Sequence, residues 1–448
     1  MSDRSSVFYR KPSHRYPVAV AGDGPWIVDS EGRRRIDACG GAAVSSLGHC
    51  HPEITAALRE QLDRIDYVHT SFYTTEATEA LAAELASTAP PGLSRVLLLS
   101  GGSEAVESAL KLARQAAVER GEGRRTTVIA RHQSYHGNTL GALSVSGNLG
   151  RRQLYAPLLF DAAFIAPCFP YRYAEPGESP EAYGRRAADE LERMILARGP
   201  DTILAFIAET VVGATAGAVA PAPGYLRRIR EICDRHGVLL ILDEVMCGMG
   251  RTGTLHACEQ EGVTPDILVV AKGLGGGYAP IAAVFASEAI HDAVVAGSGA
   301  LQNGFTYMGH PLACAAALAV QRVIRRDGLL ARVREEGTRL HQALLTTLGN
   351  HPNVGDIRGR GLFLAVEFVR DRETREPFDP ALKAHEAVKQ AAMEAGLLVY
   401  AMPGTIDGER GNHILLAPPY TIDADIVGRI AGMLGVAVER GIAPLLRR

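Results

Sequence analysis

A lysine followed by glycines is the feature of the sequence most suited to covalent chemistry. Lys272 comes directly after the apolar segment 267–270, and glycines occupy position 273 and positions 275–277. Burial next to an apolar strand lowers the pKa of a lysine, and a neutral amine can attack a carbonyl carbon to form a Schiff base. The glycines would let the backbone approach a ligand closely. A surface lysine in a mobile loop is the alternative that this segment leaves open.

Two adjacent acids, Asp243 and Glu244, follow the apolar segment 238–242. The carboxyl ends of buried parallel strands are where open α/β sheets bind ligands. Neighbouring side chains of a strand point to opposite faces, so we expect the two acids to have different roles. One of them can face a bound cation or a protonated ring. Two solvated acids at the start of a loop are the alternative.

The residues at 100–105 form a turn that could bind a phosphate group. Their sequence, SGGSEA, follows an apolar segment and opens a helical pattern. Gly102 and Ser103 at such a junction present free backbone N–H groups and the positive end of the helix dipole. A plain turn in which Ser103 caps the helix is the alternative. The segment lacks the spacing of a P-loop or of a dinucleotide-binding fingerprint.

Tyr135, His136 and Gly137 form the fourth candidate, shortly after the apolar segment 127–130. An aromatic ring at the end of a strand can stack on a planar ligand, although a lone Tyr or His there more often contributes to packing. A phosphate-binding helix start, an acid for a ring nitrogen, an aromatic ring and a desolvated lysine together meet the requirements of pyridoxal 5′-phosphate. The combination predicts this cofactor more strongly than any one of its parts does.

All four candidates lie at the ends of short apolar segments that are typical of strands. Several of these segments are continuous runs of Val, Ile and Leu, as expected for strands covered on both faces. Helical patterns at residues 104–120 and 225–236 lie between them. Alternation of strand and helix predicts an α/β domain with a mainly parallel sheet. The expected strands are residues 95–99, 127–130, 203–208, 238–242, 267–270 and 280–286.

The two ends of the chain follow a different pattern. Residues 26–29 and 35–37 flank a Glu31-Gly32 turn, which is typical of a small hairpin. Beyond residue 311 come long helices and separate strands, which predict a smaller α+β domain that combines both ends of the chain. The expected helices are residues 312–326, 329–348 and 381–395, and the expected strands are residues 362–369 and 413–416.

Length and composition indicate an ordinary globular protein. The 448 residues carry 47 Lys+Arg against 50 Asp+Glu, a formal net charge of −3, and 47 % of them are hydrophobic. This near balance removes the main reason to expect a nucleic-acid or anionic-membrane partner and favours a small-molecule substrate. We expect residues 1–65 and 316–448 to form the small domain, and residues 66–315 to form the large cofactor-binding domain.

The cysteines and the N-terminal residues indicate the compartment. The seven scattered cysteines include no CxxC pair, which predicts neither a disulfide framework nor a zinc ribbon. His49-Cys50-His51 has the composition of a ligand set, but adjacent residues do not all face one ion, so we expect an ordinary turn and no metal. Residues 1–12 lack the apolar run of a signal peptide. A cytoplasmic protein with reduced thiols is therefore expected.

With its motifs in this order, the sequence resembles the class III pyridoxal-phosphate aminotransferases, the omega-aminotransferase group. The resemblance covers nearly the whole chain. It implies the fold type I architecture, in which a large α/β domain with a seven-stranded, mainly parallel sheet is joined to a small α+β domain, and a homodimer with sites at the interface. The motifs are residues 48–52 (GHCHP), 100–105, 135–137, 243–245 (DEV), 251–253 (RTG), 272–273, 305–307 (FTY), 309–311 (GHP) and 418–419 (PP).

The resemblance implies three catalytic residues. Lys272 is implied as the lysine that forms the Schiff base and then moves a proton between substrate and cofactor, for which a desolvated amine is a suitable base. Asp243 is implied as the carboxylate that pairs with the pyridine nitrogen and keeps it protonated, so that the ring accepts electrons. Tyr135 is implied on one face of the ring, with Val245 on the other.

Further roles implied by the resemblance concern cofactor binding and assembly. Thr306 is implied to reach the phosphate of the partner subunit's cofactor, which would make dimerisation part of the site. Glu104 and Glu244 are implied only as polar support around the ring. The other implied cofactor-binding residues are Gly102, Ser103, His136 and Glu209.

The arginine that grips a substrate carboxylate in the amine:pyruvate branch is missing from its usual place. The matching stretch, residues 399–403, reads VYAMP and places Ala401 there, with no arginine. Arg410, in an insertion at residues 404–411, is a candidate substitute, and a solvated loop residue is the alternative. Ala42 and Ala43 lie where related enzymes often carry bulkier residues, which predicts a roomy pocket.

These features predict a transaminase that moves an amino group from a primary amine or omega-amino acid to a 2-oxo acid, with pyruvate favoured, by a ping-pong Schiff-base mechanism. The motifs at 305–307 and 309–311 are closer to the amine:pyruvate branch than to the ornithine-type branch. An amino-acid racemase, epimerase or decarboxylase on the same scaffold uses the same residue types and stays open. A non-catalytic binding protein is a third interpretation, against which the intact Lys272 and Asp243 argue.

Overall fold

Three β-sheets organise the chain in the computed structural model, which describes residues 5–447. The strands are β1 (Ala19–Asp23), β2 (Trp26–Asp29), β3 (Arg34–Asp37), β4 (Leu93–Leu99), β5 (Thr127–Arg131), β6 (Ala163–Ile165), β7 (Ile203–Glu209), β8 (Leu239–Asp243), β9 (Ile267–Val270), β10 (Ala282–Ser287), β11 (Val354–Arg360), β12 (Phe363–Phe368), β13 (Leu397–Leu398), β14 (Tyr400–Pro403) and β15 (Asn412–Leu416).

Helices of very different length connect and cover these strands. The helices are α1 (Gly40–Ala43), α2 (Pro52–Arg64), α3 (Glu76–Thr88), α4 (Gly102–Glu119), α5 (Leu140–Ser144), α6 (Leu149–Arg152), α7 (Pro170–Tyr173), α8 (Pro180–Arg198), α9 (Tyr225–His236), α10 (Glu288–Ala296), α11 (Pro311–Arg326), α12 (Leu329–Leu348), α13 (Ala384–Glu394) and α14 (Ala424–Ile442). The predicted long helices are all present, with ends that differ by a few residues.

The central sheet has seven strands in the order β4-β10-β9-β8-β7-β5-β6. Strands β6, β5, β7, β8 and β9 run parallel to one another, whereas β10 pairs antiparallel with both β9 and β4. The predicted fold type I sheet is thereby confirmed. The sequence pattern does not predict β6, because three residues at a sheet edge are too short a run for periodicity to show.

Side chains of the central sheet alternate between two apolar layers. In β7, Ile203 and Phe206 belong to one buried cluster, while Leu204 and Ile207 belong to the other. The apolar face of α4, which includes Val106, is buried in the second cluster. A sheet covered on both faces explains why its strands are continuous apolar runs. It also leaves the ends of the strands as the places where a ligand can approach.

Two smaller four-stranded sheets contain the strands from the ends of the chain. The predicted hairpin is formed by β2 and β3, and β13 pairs parallel with β3, so both ends of the chain meet in one sheet. The other sheet has the order β11-β12-β15-β14. The expected boundary between residues 315 and 316 falls inside α11, and the domain limits stay a prediction.

Two observations concern the environment of the protein. None of the helices within residues 5–447 combines the length and the apolar character that crossing a bilayer requires. All seven cysteines are free thiols, and all but Cys50 are buried.

Candidate active site

The ends of several strands surround one cavity of about 360 Å³. Strands β5, β7, β8 and β9 end at this edge of the central sheet, and α4 begins there after β4. This edge is where α/β sheets bind ligands, because the loops that follow parallel strands converge there. The cavity is lined by eight of the nine site residues expected from the sequence, namely Gly102, Ser103, Tyr135, His136, Glu209, Asp243, Val245 and Lys272.

Lys272 lies just beyond β9, at the start of a short 3-10 turn, with a backbone φ of 45°. A left-handed φ is uncommon for a residue with a Cβ and is found most often at functional sites. Burial lowers the pKa of its amine to about 8; the negative charge of Asp243 opposes this shift and the positive charge of Arg151 adds to it. The amine therefore loses its proton as the pH rises through about 8, well below the pH that an exposed lysine needs, and a nucleophile or a general base must be deprotonated.

Asp243 ends β8 and presents its carboxylate to the cavity. One carboxylate oxygen, Oδ2, lies 2.8 Å from Nδ1 of His136, and the other, Oδ1, accepts a hydrogen bond of 2.9 Å from the backbone N–H of Val245. Both side chains of the His136–Asp243 pair are buried. Two directed contacts hold the carboxylate in one orientation, which a group that must meet a ring nitrogen requires.

Glu209, at the end of β7, holds the aromatic turn in place. Its Oε1 accepts a 3.0 Å hydrogen bond from the backbone N–H of Tyr135, and its Oε2 lies 3.3 Å from the guanidinium of Arg131. The same guanidinium donates to the backbone carbonyl of Glu209 at 2.6 Å. Glu209 therefore orients Tyr135 and already has a buried arginine partner.

The start of α4 has the geometry of an anion site. The hydroxyl of Ser103 accepts a hydrogen bond from the backbone N–H of Asn138 at 2.9 Å, which joins the helix start to the aromatic turn. A Cβ built on Gly102 would lie 3.0 Å from a methyl group of Val245, and one built on Gly137 would lie 2.7 Å from Oγ of Ser103. Glycines allow this close approach. The first backbone N–H groups of a helix have no partner within the helix, so those of α4 are available to an anion bound at its start.

Arg151 also lines the cavity, and its guanidinium carbon lies 4.3 Å above the ring of Tyr135. No pattern in the sequence marks this residue. Arg151 lies on α6, a helix of four residues without a recognisable motif, so its position is visible only after folding. Arg10, from the N-terminal segment, is unmarked for the same reason.

Glu104 and Glu244 are not among the residues that line the cavity, and their expected role as polar support around the ring stays a prediction. The buried Glu244 accepts hydrogen bonds from Oγ1 of Thr210 at 2.8 Å and from the backbone N–H groups of Ala257 and Cys258, each at 2.7 Å. Burial raises its pKa to about 7. Glu104 accepts from the backbone N–H of the residue at position 100. The expectation that Asp243 and Glu244 have different roles agrees with this geometry.

Thr306 and Arg410 lie outside the residues that line the cavity. Thr306 is exposed, and its backbone carbonyl accepts a 2.9 Å hydrogen bond from the hydroxyl of Tyr67. Arg410 is exposed and its Nε lies 2.6 Å from Oδ2 of Asp407. The alternative of a solvated loop residue therefore describes Arg410 correctly, and the chain uses it within its own loop.

Of the two alanines expected to make the pocket roomy, one lies at its wall. Ala42 lines the cavity, whereas Ala43 is buried in an apolar cluster behind it. Tyr400, on β14, and Val44 line the cavity as well. The wall therefore combines small side chains with one aromatic ring.

The residues present fit pyridoxal 5′-phosphate. One cavity contains an amine of lowered pKa, an oriented carboxylate and a glycine-containing helix start. The amine matches the aldehyde of that cofactor, the carboxylate matches its ring nitrogen, and the helix start matches its phosphate. The second ring nitrogen of His136, Nε2, has no hydrogen-bond partner within the described part of the chain. Lys272 would bond the aldehyde carbon, Asp243 would face the ring nitrogen, and Gly102 with Ser103 would hold the phosphate.

Comparison with known proteins gives one consistent result. The family model described as aminotransferase class-III matches residues 8–438. An uncharacterized aminotransferase of Schizosaccharomyces pombe is 45 % identical over 449 aligned residues, which cover 99 % of this chain and 98 % of that protein.

Two solved structures are similar over nearly their whole length. The amine transaminase of an uncultivated Pseudomonas species, in its pyridoxal-phosphate-bound form, has a TM-score of 0.89 and 36 % identity and covers 98 % of each chain. The (S)-enantioselective omega-transaminase of Thermomicrobium roseum has a TM-score of 0.88 and 35 % identity, covering 96 % of this chain and 93 % of that one.

Proposed function

The chain belongs to the class III aminotransferases, which depend on pyridoxal 5′-phosphate, and we propose that it transfers an amino group from a primary amine or omega-amino acid to a 2-oxo acid, with pyruvate as the acceptor. The observation that carries this proposal is the Lys272 amine, with its lowered pKa, in the same cavity as the oriented Asp243 carboxylate. The amine-transaminase and omega-transaminase descriptions of the similar structures support the donor class.

When bound, the cofactor supplies a carbonyl group that accepts the amino group and a ring that accepts electrons from the substrate carbon. Lys272 would take a proton from the substrate carbon, for which its amine must be neutral. Asp243 would keep the ring nitrogen protonated, and the Tyr135 ring, oriented by Glu209, would lie against the cofactor. The donor and the acceptor would exchange the amino group with the same cofactor in turn, in the ping-pong order, with Lys272 moving the proton each time.

The size of the cavity is compatible with pyruvate as the acceptor. Ala42 and Val44 leave space on one wall, and Tyr400 lies on another. Pyruvate is the smallest 2-oxo acid with a carbon side chain, and an acceptor of this size fits beside the cofactor in a cavity of about 360 Å³.

A homodimer is part of the proposal, with Thr306 of each subunit at the cofactor phosphate of the other. Exposed aromatic side chains support it: Tyr307, next to Thr306 in the chain, is 58 % exposed, and Phe72 and Tyr73 are 79 % and 69 % exposed. Apolar patches of this kind mark protein–protein interfaces. The free thiols and the balanced charge support a cytoplasmic enzyme without a nucleic-acid or membrane partner.

A pair of half-reactions tests the activity. The pyridoxal form of the enzyme is mixed with a panel of amines and omega-amino acids, and the pyridoxamine form is mixed with a panel of 2-oxo acids, with the cofactor absorbance recorded. Conversion in both directions, fastest with pyruvate among the acceptors, is expected. Absence of conversion with every donor, or exchange of the substrate Cα hydrogen without any 2-oxo acid, contradicts the proposal and favours an isomerase or lyase.

Mixing of two variants tests the shared site. Lys272→Ala and Thr306→Ala are each expected to have low activity. In each mixed dimer, one of the two sites combines an intact Lys272 with an intact Thr306 from the other subunit. Random exchange of equal amounts makes about half of the dimers mixed, so activity is expected to return toward about a quarter of the wild-type value. No gain on mixing, with exchange of subunits verified by mass, contradicts the role of Thr306.

A further inference from the structure

At the wall of the cavity, the guanidinium of Arg151 is a positive charge that has no counter-ion among the residues that the structure describes. It lies against the face of the Tyr135 ring, at 4.3 Å, and the side chain is half-buried. Within residues 5–447, no carboxylate forms an ion pair with it and no acceptor takes a hydrogen bond from its side chain. Such a group keeps all five of its N–H donors available for a ligand.

The two acids that line the cavity already have partners within the chain. Glu209 is paired with Arg131, and Asp243 is held by His136. Arg151 is close enough to the amine of Lys272 for its charge to lower the pKa of that amine. The free cation therefore lies beside the reacting atoms and not at the outer rim.

The insertion at residues 404–411 fixes the helix that carries Arg151. A Cβ built on Gly150 would lie 2.8 Å from the carbonyl oxygen of Gly408, so the loop packs directly on the start of α6. Gln133 bridges the same two segments: its amide nitrogen donates to the carbonyl of Gly404 at 2.6 Å, and its amide oxygen accepts from Asn148 at 3.0 Å. Asn148 in turn caps α6. The loop that follows the arginine-free β14 thus supports an arginine elsewhere on the cavity wall.

We propose that Arg151 binds the carboxylate of the substrate, and that this is the specificity determinant for 2-oxo acid acceptors and amino acid donors. This inference rests on the proposed function. A guanidinium pairs with a carboxylate through two parallel hydrogen bonds, and stacking on an aromatic ring holds its plane in place. The cofactor phosphate already has donors at the start of α4, around Gly102 and Ser103, so the carboxylate is the anion left without a partner.

A comparison of pyruvate with acetaldehyde isolates this contact, because the two acceptors differ by the carboxylate alone. With the pyridoxamine form of the enzyme, Arg151→Gln is expected to lower kcat/KM for pyruvate roughly 10- to 100-fold, as for loss of a hydrogen bond to a charged group, and to change that for acetaldehyde about threefold or less. The kcat/KM of Arg151→Lys for pyruvate is expected to lie between those of wild type and Arg151→Gln, because lysine keeps the charge but loses the paired hydrogen bonds. Arg410→Gln, an exposed arginine outside the cavity, is the matched control and is expected to behave as wild type.

Equilibrium binding gives a readout that does not need turnover. Propionate, a carboxylate without a reactive carbonyl, is titrated into cofactor-loaded enzyme while the cofactor absorbance is followed. Its dissociation constant is expected to rise about tenfold or more in Arg151→Gln and to stay unchanged in Arg410→Gln. This result supports carboxylate binding by Arg151 even if the wild-type enzyme converts none of the acceptors. Failure of the proposed function is thereby distinguished from failure of the inference about Arg151.

Three results overturn the inference. The first is an unchanged preference for pyruvate over acetaldehyde together with unchanged propionate binding in Arg151→Gln. The second is loss of that preference in Arg10→Gln alone, which would assign the carboxylate to the other arginine of the cavity wall. The third is weaker binding of pyridoxal 5′-phosphate itself with the preference retained, which would assign Arg151 to the phosphate.

Discussion

Nδ1 of His136 lies 2.8 Å from Oδ2 of Asp243, and both side chains are buried at the carboxyl ends of the parallel strands. The two residues are 107 positions apart, one on the aromatic turn after β5 and one at the end of β8. Their contact joins the aromatic turn, which would cover the ring of a bound cofactor, to the carboxylate that would face the ring nitrogen. Orientation of Asp243 is therefore a property of two loops and not of one strand.

Removal of the His136 contact is expected to weaken cofactor binding. In His136→Ala the buried carboxylate loses one of its two directed partners, and we expect the dissociation constant of pyridoxal 5′-phosphate to rise roughly 10- to 100-fold. His136→Gln, which keeps a donor, is expected to restore part of the affinity. The measurement is a titration of apoprotein followed by absorbance, and equal affinity of His136→Ala and wild type would refute the positioning role.

The pH dependence of Lys272 follows from its lowered pKa. In the apoprotein the amine is protonated below about pH 8 and neutral above it, so its rate of labelling by trinitrobenzenesulfonate is expected to rise with pH through a midpoint of about 8. Because Asp243 raises this pKa and Arg151 lowers it, Asp243→Asn is expected to shift the midpoint down and Arg151→Gln to shift it up. Peptide mass spectrometry reads the labelling, with the exposed Lys383 as reference for the reagent.

Substitution of Gly137 is expected to destabilise the apoprotein. Its φ is 144°, and a Cβ there would lie 2.7 Å from Oγ and 2.8 Å from Cα of Ser103. We expect Gly137→Ala to lower the free energy of unfolding by about 2–4 kcal/mol, because the start of α4 must move. Gly101→Ala is the matched control: its backbone is extended and a Cβ meets nothing within 4 Å, so a change of at most about 1 kcal/mol is expected. Urea unfolding of both variants checks this, and equal losses would show that the close approach is not rigid.

Glu244 is expected to make stability depend on pH. Its pKa is raised to about 7 in the folded protein from 4.5, so the folded state binds the proton more tightly than the unfolded state does. The resulting stabilisation is complete below about pH 4.5 and is lost as the pH rises through about 7, a change on the order of 3 kcal/mol.

The Glu244 prediction is tested by comparing wild type with Glu244→Gln, which does not titrate. From pH 5 to pH 8, the unfolding free energy of wild type is expected to fall relative to that of Glu244→Gln. The same difference at both pH values would mean that the carboxylate is ionised throughout and is satisfied by its three donors.

Much of the fold follows from patterns of apolar residues within single segments of the chain. The continuous apolar runs of β7, β8 and β9 predict buried parallel strands, because only strands covered on both faces lack alternation. The short β6 and the two-residue β13 carry no such pattern and exist because neighbouring strands supply their hydrogen bonds. Edge strands of this kind depend on tertiary context.

The sequence alone determined the chemistry of the site, because the lysine, the acid, the aromatic turn and the glycine-rich helix start each follow a recognisable strand and so must meet at one edge of a parallel sheet. Tertiary structure decided which acid does what: Asp243 faces His136 and the cavity, while Glu244 faces Thr210. It also placed Arg151 over Tyr135. Contacts between distant segments set these positions, and no local pattern encodes the distance between them.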